Sequence, residues 1–180
     1  AFSSTVAVRR SDRPRPDFLR WFFDTSANKD RLDGLFPFRD ELYFGSLIFD
    51  HAAKKEYNVF YQMDAAWCFT NPINSTLPKP EFKNFKYAGG ALIDYQPVYH
   101  WIFDDGQRGF FQFYDRQDNR EPMRFDADRR ERGAESWSFL EFDAGSQDPT
   151  LFTLPADPGH LQLNVQLCTQ SLYCYFALVL

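Results

Sequence analysis

Three histidines are the first side chains to consider for acid–base chemistry. His51 lies in the segment "DHAAKKE", which has the composition of an exposed turn, and His160 follows a Pro-Gly pair that is typical of a loop. His100 stands between Tyr99 and Trp101 in an aromatic run. There it could donate a hydrogen bond to a ligand, although a histidine satisfied within a sheet explains the same pattern. None of the three is predicted to be catalytic.

Carboxylates are numerous, but no motif places two of them for catalysis. The 25 Asp and Glu residues include "DDG" at 104–106 and "DAD" at 126–128, which look like fragments of a calcium loop without completing one. Surface turns explain both. Gly-rich phosphate loops, HExxH and GxSxG do not occur in the sequence. We therefore expect that the protein is not an enzyme, and a hydrolase with paired acids ranks last among the alternatives.

The cysteines and a sequon bear on the compartment of the protein. Cys68, Cys168 and Cys174 have no metal-ligand spacing, and their odd number leaves one thiol over or implies an intermolecular bond. Asn74 opens the sequon "NST" in a proline-rich loop. The chain begins at Ala1 without a signal-peptide pattern, so we expect any signal peptide to have been removed. These features predict a secreted, extracellular protein with a glycan on Asn74.

Aromatic content is the most unusual property of the composition. The 180 residues include 21 Phe, 9 Tyr and 4 Trp, which makes 19% of the chain aromatic. These rings either form a large core or line a site for a flat or apolar ligand. The net charge of −5 argues against a general nucleic-acid binder. No apolar run is long enough to predict a transmembrane segment.

Alternation of residue types predicts the elements that position these rings. Tyr57, Val59 and Tyr61 alternate with Glu56 and Asn58, as in a strand with one buried face. "WFFDTSANKDRLDG" reads as strand, turn and strand, and "DHAAKKE" and "DDGQRG" are further turn signals. The charged stretch 116–135 is expected to be an exposed loop or helical turn. Many short strands predict an all-β fold of two stacked antiparallel sheets.

The chain length fits one domain with two terminal extensions. Residues 1–20 are expected to form a basic arm that is solvated or caps a strand, with contact to a membrane or an acidic partner as the alternative. Residues 21–170 form the β domain. Residues 171–180 form an apolar tail, which would cover an edge strand, line the ligand or join a partner chain.

Several segments together resemble the ependymin-related family. They are "VFYQMDAAWCFTNPINSTLPKPEF" at 59–82, then "YAGG" and "VYHWIFDD", with "WFFDTSANKDRLDG" upstream and "SFLEFDAGSQDPTLFTLP" downstream. The resemblance covers residues 21–155. It implies a secreted, non-enzymatic glycoprotein whose two stacked sheets enclose a hydrophobic pocket. It also implies a homodimer or a heterodimer with a related chain, and it makes bound calcium an expectation.

The same resemblance implies a disulfide between Cys68 and Cys168, with Cys68–Cys174 left open. In the chain-entropy model, a bridge that closes a loop of about 100 residues contributes roughly 4–5 kcal/mol. Here Cys168 lies 13 residues after Pro155, later than the family pattern places its cysteine. The apolar tail also lies outside that pattern.

A long hydrophobic ligand is the predicted function, and a carotenoid is the predicted ligand. A flat conjugated rod gains from stacking on aromatic rings, whereas a flexible acyl chain gains mainly from Leu, Ile and Met. An adhesion, matrix or lipid-binding protein of the same family is the alternative. The strands at 91–115 and 135–142 are expected to carry the site. The predicted ligand-binding residues are Tyr95, Tyr99, His100, Trp101, Phe103, Phe111, Phe113, Trp137 and Phe139.

Overall fold

The protein is all-β over the residues that its structure describes. The computed structural model describes residues 1–63, 65–77, 82–130, 133–155 and 162–163. The strands within these ranges are β1 (Phe2–Arg10), β2 (Asp17–Asp24), β3 (Lys29–Phe38), β4 (Glu41–Asp50), β5 (Lys55–Gln62), β6 (Ala65–Pro72), β7 (Lys86–Ile93), β8 (Gln96–Asp105), β9 (Gly109–Arg116), β10 (Pro122–Arg129), β11 (Gly133–Ala144) and β12 (Gln162–Leu163). Two short 3-10 helices are η1 (Phe82–Asn84) and η2 (Pro149–Phe152).

Hydrogen bonds join the described strands in one sheet, in the order β12-β6-β5-β4-β3-β2-β1-β11-β10-β9-β8-β7. Most neighbours in this order are also neighbours in sequence, because short turns join them as antiparallel hairpins. β12 is an exception, since it pairs with β6 in parallel. The expected all-β fold is confirmed. The described strands form one hydrogen-bonded sheet, so the two stacked sheets that the sequence predicted are not shown.

The described chain divides into two compact units. Unit 1 contains Ala1–Ser3, Leu19–Lys79 and Asp143–Leu180, and unit 2 contains Ser4–Phe18 and Pro80–Phe142. Residues 1–20, which were expected to form a basic arm, supply β1 and the start of β2. The expected C-terminal tail, 171–180, lies outside the described residues.

Unit 1 is built on the β3–β4 hairpin. Leu32 opposes Leu47 in the register of this hairpin, and both side chains are buried. On the other face of β3, Arg31 donates from Nη1 to the carbonyl oxygen of Leu151 at 2.5 Å and thereby ties η2 to the strand. Asp33 accepts two further bonds from the same guanidinium. Both faces of β3 are therefore occupied, one by apolar side chains and one by a polar network.

The segment "WFFDTSANKDRLDG" forms strand, turn and strand as the sequence predicts, with the turn at residues 25–28 between β2 and β3. Asp24 Oδ1 accepts hydrogen bonds from the backbone N–H of Ser26 at 2.8 Å, the hydroxyl of Ser26 at 2.6 Å and the N–H of Ala27 at 3.2 Å. The hydroxyl bond is the main cause that lowers the pKa of Asp24. Asn28 completes the turn with a φ of +54°, a conformation that asparagine tolerates well.

Removing the Asp24 carboxylate should destabilise the protein in a pH-dependent way. We expect Asp24→Ala to cost about 1–2 kcal/mol near neutral pH, and Asp24→Asn less, because the amide keeps an acceptor oxygen. The pKa of Asp24 is lowered by folding, so the unfolded chain binds more protons between the folded value and 3.8. The stabilisation by Asp24 is therefore present above its pKa in the unfolded chain. It is lost as pH falls through its lower pKa in the folded protein. Urea unfolding from pH 3 to 7 should show the difference between wild type and Asp24→Ala shrinking on the acid side, and a constant difference would contradict this role.

Candidate ligand-binding site

The strand register of unit 2 gathers aromatic residues on one face of the sheet. Trp101 on β8 opposes Phe113 on β9, and Phe113 also opposes Phe125 on β10. Directly opposed residues of antiparallel strands lie on the same face, and side chains alternate between faces along each strand. We call the resulting set the aromatic face of unit 2, and it consists of Tyr87, Tyr99, Trp101, Phe103, Phe111, Phe113, Phe125 and Trp137.

Two further rings extend the aromatic face of unit 2 at the start of β7. The ring of Phe82, on η1, lies 4.5 Å from that of Phe113, measured between centroids. Phe85 lies 5.6 Å from Phe103. These separations are in the range of favourable aromatic contacts. The rings therefore form one continuous surface and not isolated pairs.

Much of this surface is accessible within the described part of the chain. Tyr87 is 56% exposed and Phe82 is 40% exposed, while Trp101 and Phe113 are half-buried. Large aromatic side chains rarely remain exposed side by side unless a ligand or partner covers them. The accessible end of the aromatic face of unit 2 is therefore its candidate contact surface.

A buried carboxylate stands at one end of the aromatic face of unit 2. Asp115 is buried, and its Oδ1 accepts a hydrogen bond from Trp101 Nε1 at 2.6 Å. Its Oδ2 accepts from Nε of Arg120, whose guanidinium lies 5.1 Å from the ring centroid of Tyr99 and 5.7 Å from that of Trp101. The cation is thus held against two aromatic rings, an arrangement that favours both partners.

The opposite end of the same face carries a shielded ion pair. Arg129 lies 5.7 Å from the ring of Phe111, and its Nε is 3.3 Å from Glu135 Oε1. Burial raises the pKa of Glu135, while the nearby charges of Arg129 and Arg10 lower it. Both members of the pair are largely withdrawn from solvent. The two ends of the face therefore differ, since the Arg120 guanidinium is accessible and that of Arg129 is not.

The structure brings together most of the ligand-binding residues that the sequence predicts. Tyr99, Trp101, Phe103, Phe111, Phe113 and Trp137 lie on the aromatic face of unit 2, and Phe139 follows Trp137 by two positions on the same face of β11. Their role in binding stays a prediction.

Two predicted residues do not join this set. His100 lies on the opposite face, where its ring stacks on Tyr114 at 4.4 Å and its Nε2 bonds with Gln112 Oε1 at 3.0 Å. Tyr95 lies in the β7–β8 turn with a φ of +63° and is 96% exposed. Strand alternation separates His100 from its neighbours Tyr99 and Trp101, which explains its position.

Sequence reasoning missed six residues of the site, which are Phe82, Phe85, Tyr87, Asp115, Arg120 and Phe125. Phe82 and Phe85 follow the proline-rich loop and belong to no alternating pattern. Asp115 and Arg120 are adjacent only because the chain turns back after β9, and Arg120 lies in the stretch that was expected to be exposed. That stretch in fact contains β10, so the expectation of a loop or helical turn over its whole length was wrong. A cue was present in the alternating residues 122–129.

His51 is the main correction in unit 1. The turn composition predicted exposure, but His51 is buried, with Nε2 2.8 Å from Asp30 Oδ1 and Nδ1 3.3 Å from the carbonyl oxygen of Ser75. Burial raises the pKa of Asp30, although its bond with His51 opposes that change. The bond with Asp30 ties the β4–β5 turn to β3, and the contact with Ser75 ties it to the loop that follows β6. A structural role accounts for all of these contacts.

The predicted glycan and disulfide involve residues of unit 1. Asn74 is exposed between the buried Ile73 and Leu77, so the sequon loop is anchored on both sides of the asparagine. Cys68 is buried on β6, and burial raises the pKa of its thiol. Cys168 and Cys174 lie outside the described residues. Glycosylation and the disulfide therefore stay predictions.

Two surveys of the described residues bear on metals and membranes. Within those ranges, no group of three or more His, Cys, Asp or Glu side chains lies close enough together to hold a metal ion. In the same ranges, no helix has the length and apolarity needed to cross a membrane. The calcium-like fragment at 104–106 spans the end of β8 and the turn after it. The fragment at 126–128 lies within β10 and pairs with both neighbouring strands, so the expectation of a surface turn was wrong there.

Comparisons with known proteins relate the chain to others by fold. No family model and no curated protein matches the sequence. A solved structure of an uncharacterized conserved protein from Thermus thermophilus matches with a TM-score of 0.58 and 14% identity, over 91% of this chain and 90% of that one. MucB matches with a TM-score of 0.53 and 11% identity, over 86% of this chain and 57% of MucB. A chain of the Pseudomonas aeruginosa MucA/MucB complex matches with a TM-score of 0.50 and 11% identity, over 86% of this chain and 56% of that one.

These findings overturn the resemblance to ependymins. The chain shares its fold with the Thermus protein and with MucB, and no family model supports the motifs that suggested an ependymin. Those motifs consist of aromatic strands, turn residues and a sequon, which any sheet-rich chain can contain in a similar order. The chain spans just over half of the MucB chain that it matches. At these identities the likeness concerns the fold alone.

Proposed function

We propose that this protein binds a long, rigid hydrophobic molecule on the aromatic face of unit 2. The observation that carries the proposal is the continuous set of rings, from Phe82 and Tyr87 to Trp101 and Phe113, that stays accessible on a sheet face. Aromatic and apolar walls are the usual lining of sites for such ligands. Since no motif of the sequence or cluster of the described residues positions catalytic groups, the proposal is one of binding without chemistry.

A conjugated polyene, such as a carotenoid, suits this surface better than a flexible acyl chain. Stacking on rings rewards a flat π-system, and a rigid rod loses little conformational entropy when it binds. The seven residues from Gly109 to Asp115 on β9 extend over roughly 20 Å at the usual rise of a strand. That length allows an extended conjugated chain to cross several rings at once.

A partner protein is the second candidate ligand, and it would bind a surface of unit 1. Unit 1 exposes an apolar strip at the ends of β3 and β4, where Leu35 opposes Phe44 and Pro37 opposes Leu42. Leu42 is 67% exposed and Phe44 is 52% exposed. Patches of this kind mark protein contacts. A structure of the fold relative MucB was solved in complex with MucA(peri), which is consistent with protein binding by this fold. A matrix or adhesion role, or a dimer, would use this strip.

We further propose that the protein is extracellular and carries a glycan on Asn74. The exposed asparagine and the anchored loop around it support this proposal. Mass spectrometry of protein from its native source, before and after enzymatic deglycosylation, tests it. An unchanged mass would contradict the proposed glycan. Peptides that contain unmodified Asn74 would confirm that result.

The visible absorption spectrum of the protein purified from its native source is the direct test of the ligand. We expect a strong visible band that is shifted from the band of the solvent-extracted pigment, because ring contacts and nearby charges perturb a bound polyene. Mass spectrometry of the extract identifies the compound. A colourless protein whose extract contains a lipid would support the binding of a hydrophobic ligand and contradict the proposal that this ligand is a polyene. A colourless protein with an empty extract would favour the partner protein.

A further inference from the structure

Arg120 has a binding capacity that its contacts within the protein leave unused. Asp115 engages only its Nε, and both Asp115 oxygens are occupied, one by Arg120 and one by Trp101. The terminal nitrogens Nη1 and Nη2 make no hydrogen bond with any described residue, and the Arg120 side chain is 59% exposed. A guanidinium with two free terminal nitrogens can donate a pair of parallel hydrogen bonds.

The position of Arg120 is fixed by neighbours that belong to the aromatic face of unit 2. Its guanidinium lies near the rings of Tyr99 and Trp101, at 5.1 Å and 5.7 Å from their centroids. The bond from Nε to a buried carboxylate limits the rotation of the guanidinium plane. A ligand that lies on these rings would therefore meet the fork of Arg120 at its end, without first having to order a flexible side chain.

Other arginines of unit 2 are engaged by carboxylates or lie off the aromatic face. Arg124 is bonded only from its Nε, but it opposes Tyr114 and therefore lies on the other face of the sheet. Arg116 is engaged from two nitrogens by Asp118, at 3.0 Å and 2.6 Å. Arg129 is largely buried in its pair with Glu135. Among the arginines that line the described aromatic face of unit 2, Arg120 alone combines an accessible guanidinium with free terminal nitrogens.

We propose that Arg120 binds the carboxylate of a ligand whose conjugated apolar body lies on the aromatic face of unit 2. The proposal rests on the proposed function and adds the chemical class of the ligand end. The planar fork of arginine matches the two oxygens of a carboxylate, whereas an ester, a ketone or a hydroxyl offers a weaker, uncharged acceptor. Asp115 is a positioning residue in this arrangement, since it orients Arg120 and does not contact the ligand.

The test compares a polyene acid with its neutral ester. The full-length protein is titrated with parinaric acid, a fluorescent conjugated fatty acid, and separately with its methyl ester. We expect wild type to bind the acid about fivefold more tightly than the ester, as an accessible ion pair allows. In Arg120→Gln the ratio of the two affinities should fall to about one. In Arg120→Lys, which keeps the charge and loses the fork, it should be about twofold.

Arg108→Gln is the matched control, because Arg108 is 79% exposed in the β8–β9 turn at the other end of the strands. Its acid-to-ester ratio should equal that of wild type, and thermal unfolding followed by circular dichroism shows that each variant is folded. Equal affinity of wild type for acid and ester, or an undiminished ratio in folded Arg120→Gln, would overturn the carboxylate proposal and leave the proposed function standing. Failure of both probes to bind would overturn both.

Discussion

Phe113→Leu should weaken polyene binding by roughly 5- to 30-fold, which corresponds to about 1–2 kcal/mol of lost ring contact. Phe113 lies at the centre of the aromatic face of unit 2, between Trp101 on one strand and Phe125 on the next, with Phe82 against its ring at 4.5 Å. Leucine keeps most of the apolar volume and removes the π-surface. Titration with parinaric acid methyl ester measures the effect independently of the carboxylate.

Phe110→Leu is the matched control on the same strand. Phe110 opposes Asp104 and Asp128, so it lies on the other face of β9. We expect this variant to bind the ester like wild type, although both substitutions remove one phenyl ring. Similar losses from Phe110→Leu and Phe113→Leu would mean that binding does not depend on the aromatic face of unit 2. An unchanged affinity in Phe113→Leu would contradict the proposed site directly.

The turns of this sheet could be predicted from the sequence because turn chemistry is local. Asp24 at the β2–β3 turn and Gly106 at the β8–β9 turn are residue types that favour such turns, and the structure places both turns where the sequence indicates. The pairing of β1 with β11 could not be predicted in this way. The two strands are more than a hundred residues apart, and no local pattern selects one distant edge over another.

Burial was harder to predict than the strands themselves. Glu56 and Asn58 alternate with Tyr57 and Val59, and the polar pair was therefore expected on an exposed face. Both polar side chains are buried, as is Val59. Alternation reports which residues share a face, but it does not report whether that face is covered. The alternation in β5 therefore predicted the strand correctly and the exposure of its polar side chains incorrectly.

The same limit applies to the candidate site. The aromatic strands were evident from composition, and alternation already separates His100 from Trp101. The pairing of Trp101 with Phe113, however, depends on the register of β8 and β9, which follows from the length of their turn. The Asp115–Arg120 pair depends on the turn at residues 117–121, which precedes the alternating residues 122–129 and has no such pattern of its own. Residue types therefore indicated an aromatic site, and register decided which rings form it.

Gly109→Ala should destabilise the protein by about 3 kcal/mol or more, the largest stability effect that we predict. Gly109 begins β9 with a φ of +142°, a region that residues with a side chain rarely adopt. An added Cβ would also overlap the carbonyl oxygen of Asp128 on the neighbouring strand and lie 3.0 Å from Arg129 Cα. These are backbone atoms of a paired strand, so they cannot rotate away as the end of a side chain could.

Gly106→Ala is the control for this substitution, because it adds the same methyl group in the β8–β9 turn, three residues before Gly109. A Cβ at Gly106 would meet no atom within 4 Å. We expect Gly106→Ala to change the free energy of unfolding by less than about 0.5 kcal/mol, and Gly109→Ala to lower the urea midpoint clearly. Equal midpoints for the two variants would show that the β9–β10 pairing at Gly109 and Arg129 is not as close as described. The pairing of Gly109 with Arg129 sets the register of Phe111 and Phe113 on β9. We therefore expect Gly109→Ala to bind the polyene ester more weakly as well as to have a lower urea midpoint, and Gly106→Ala to show neither change.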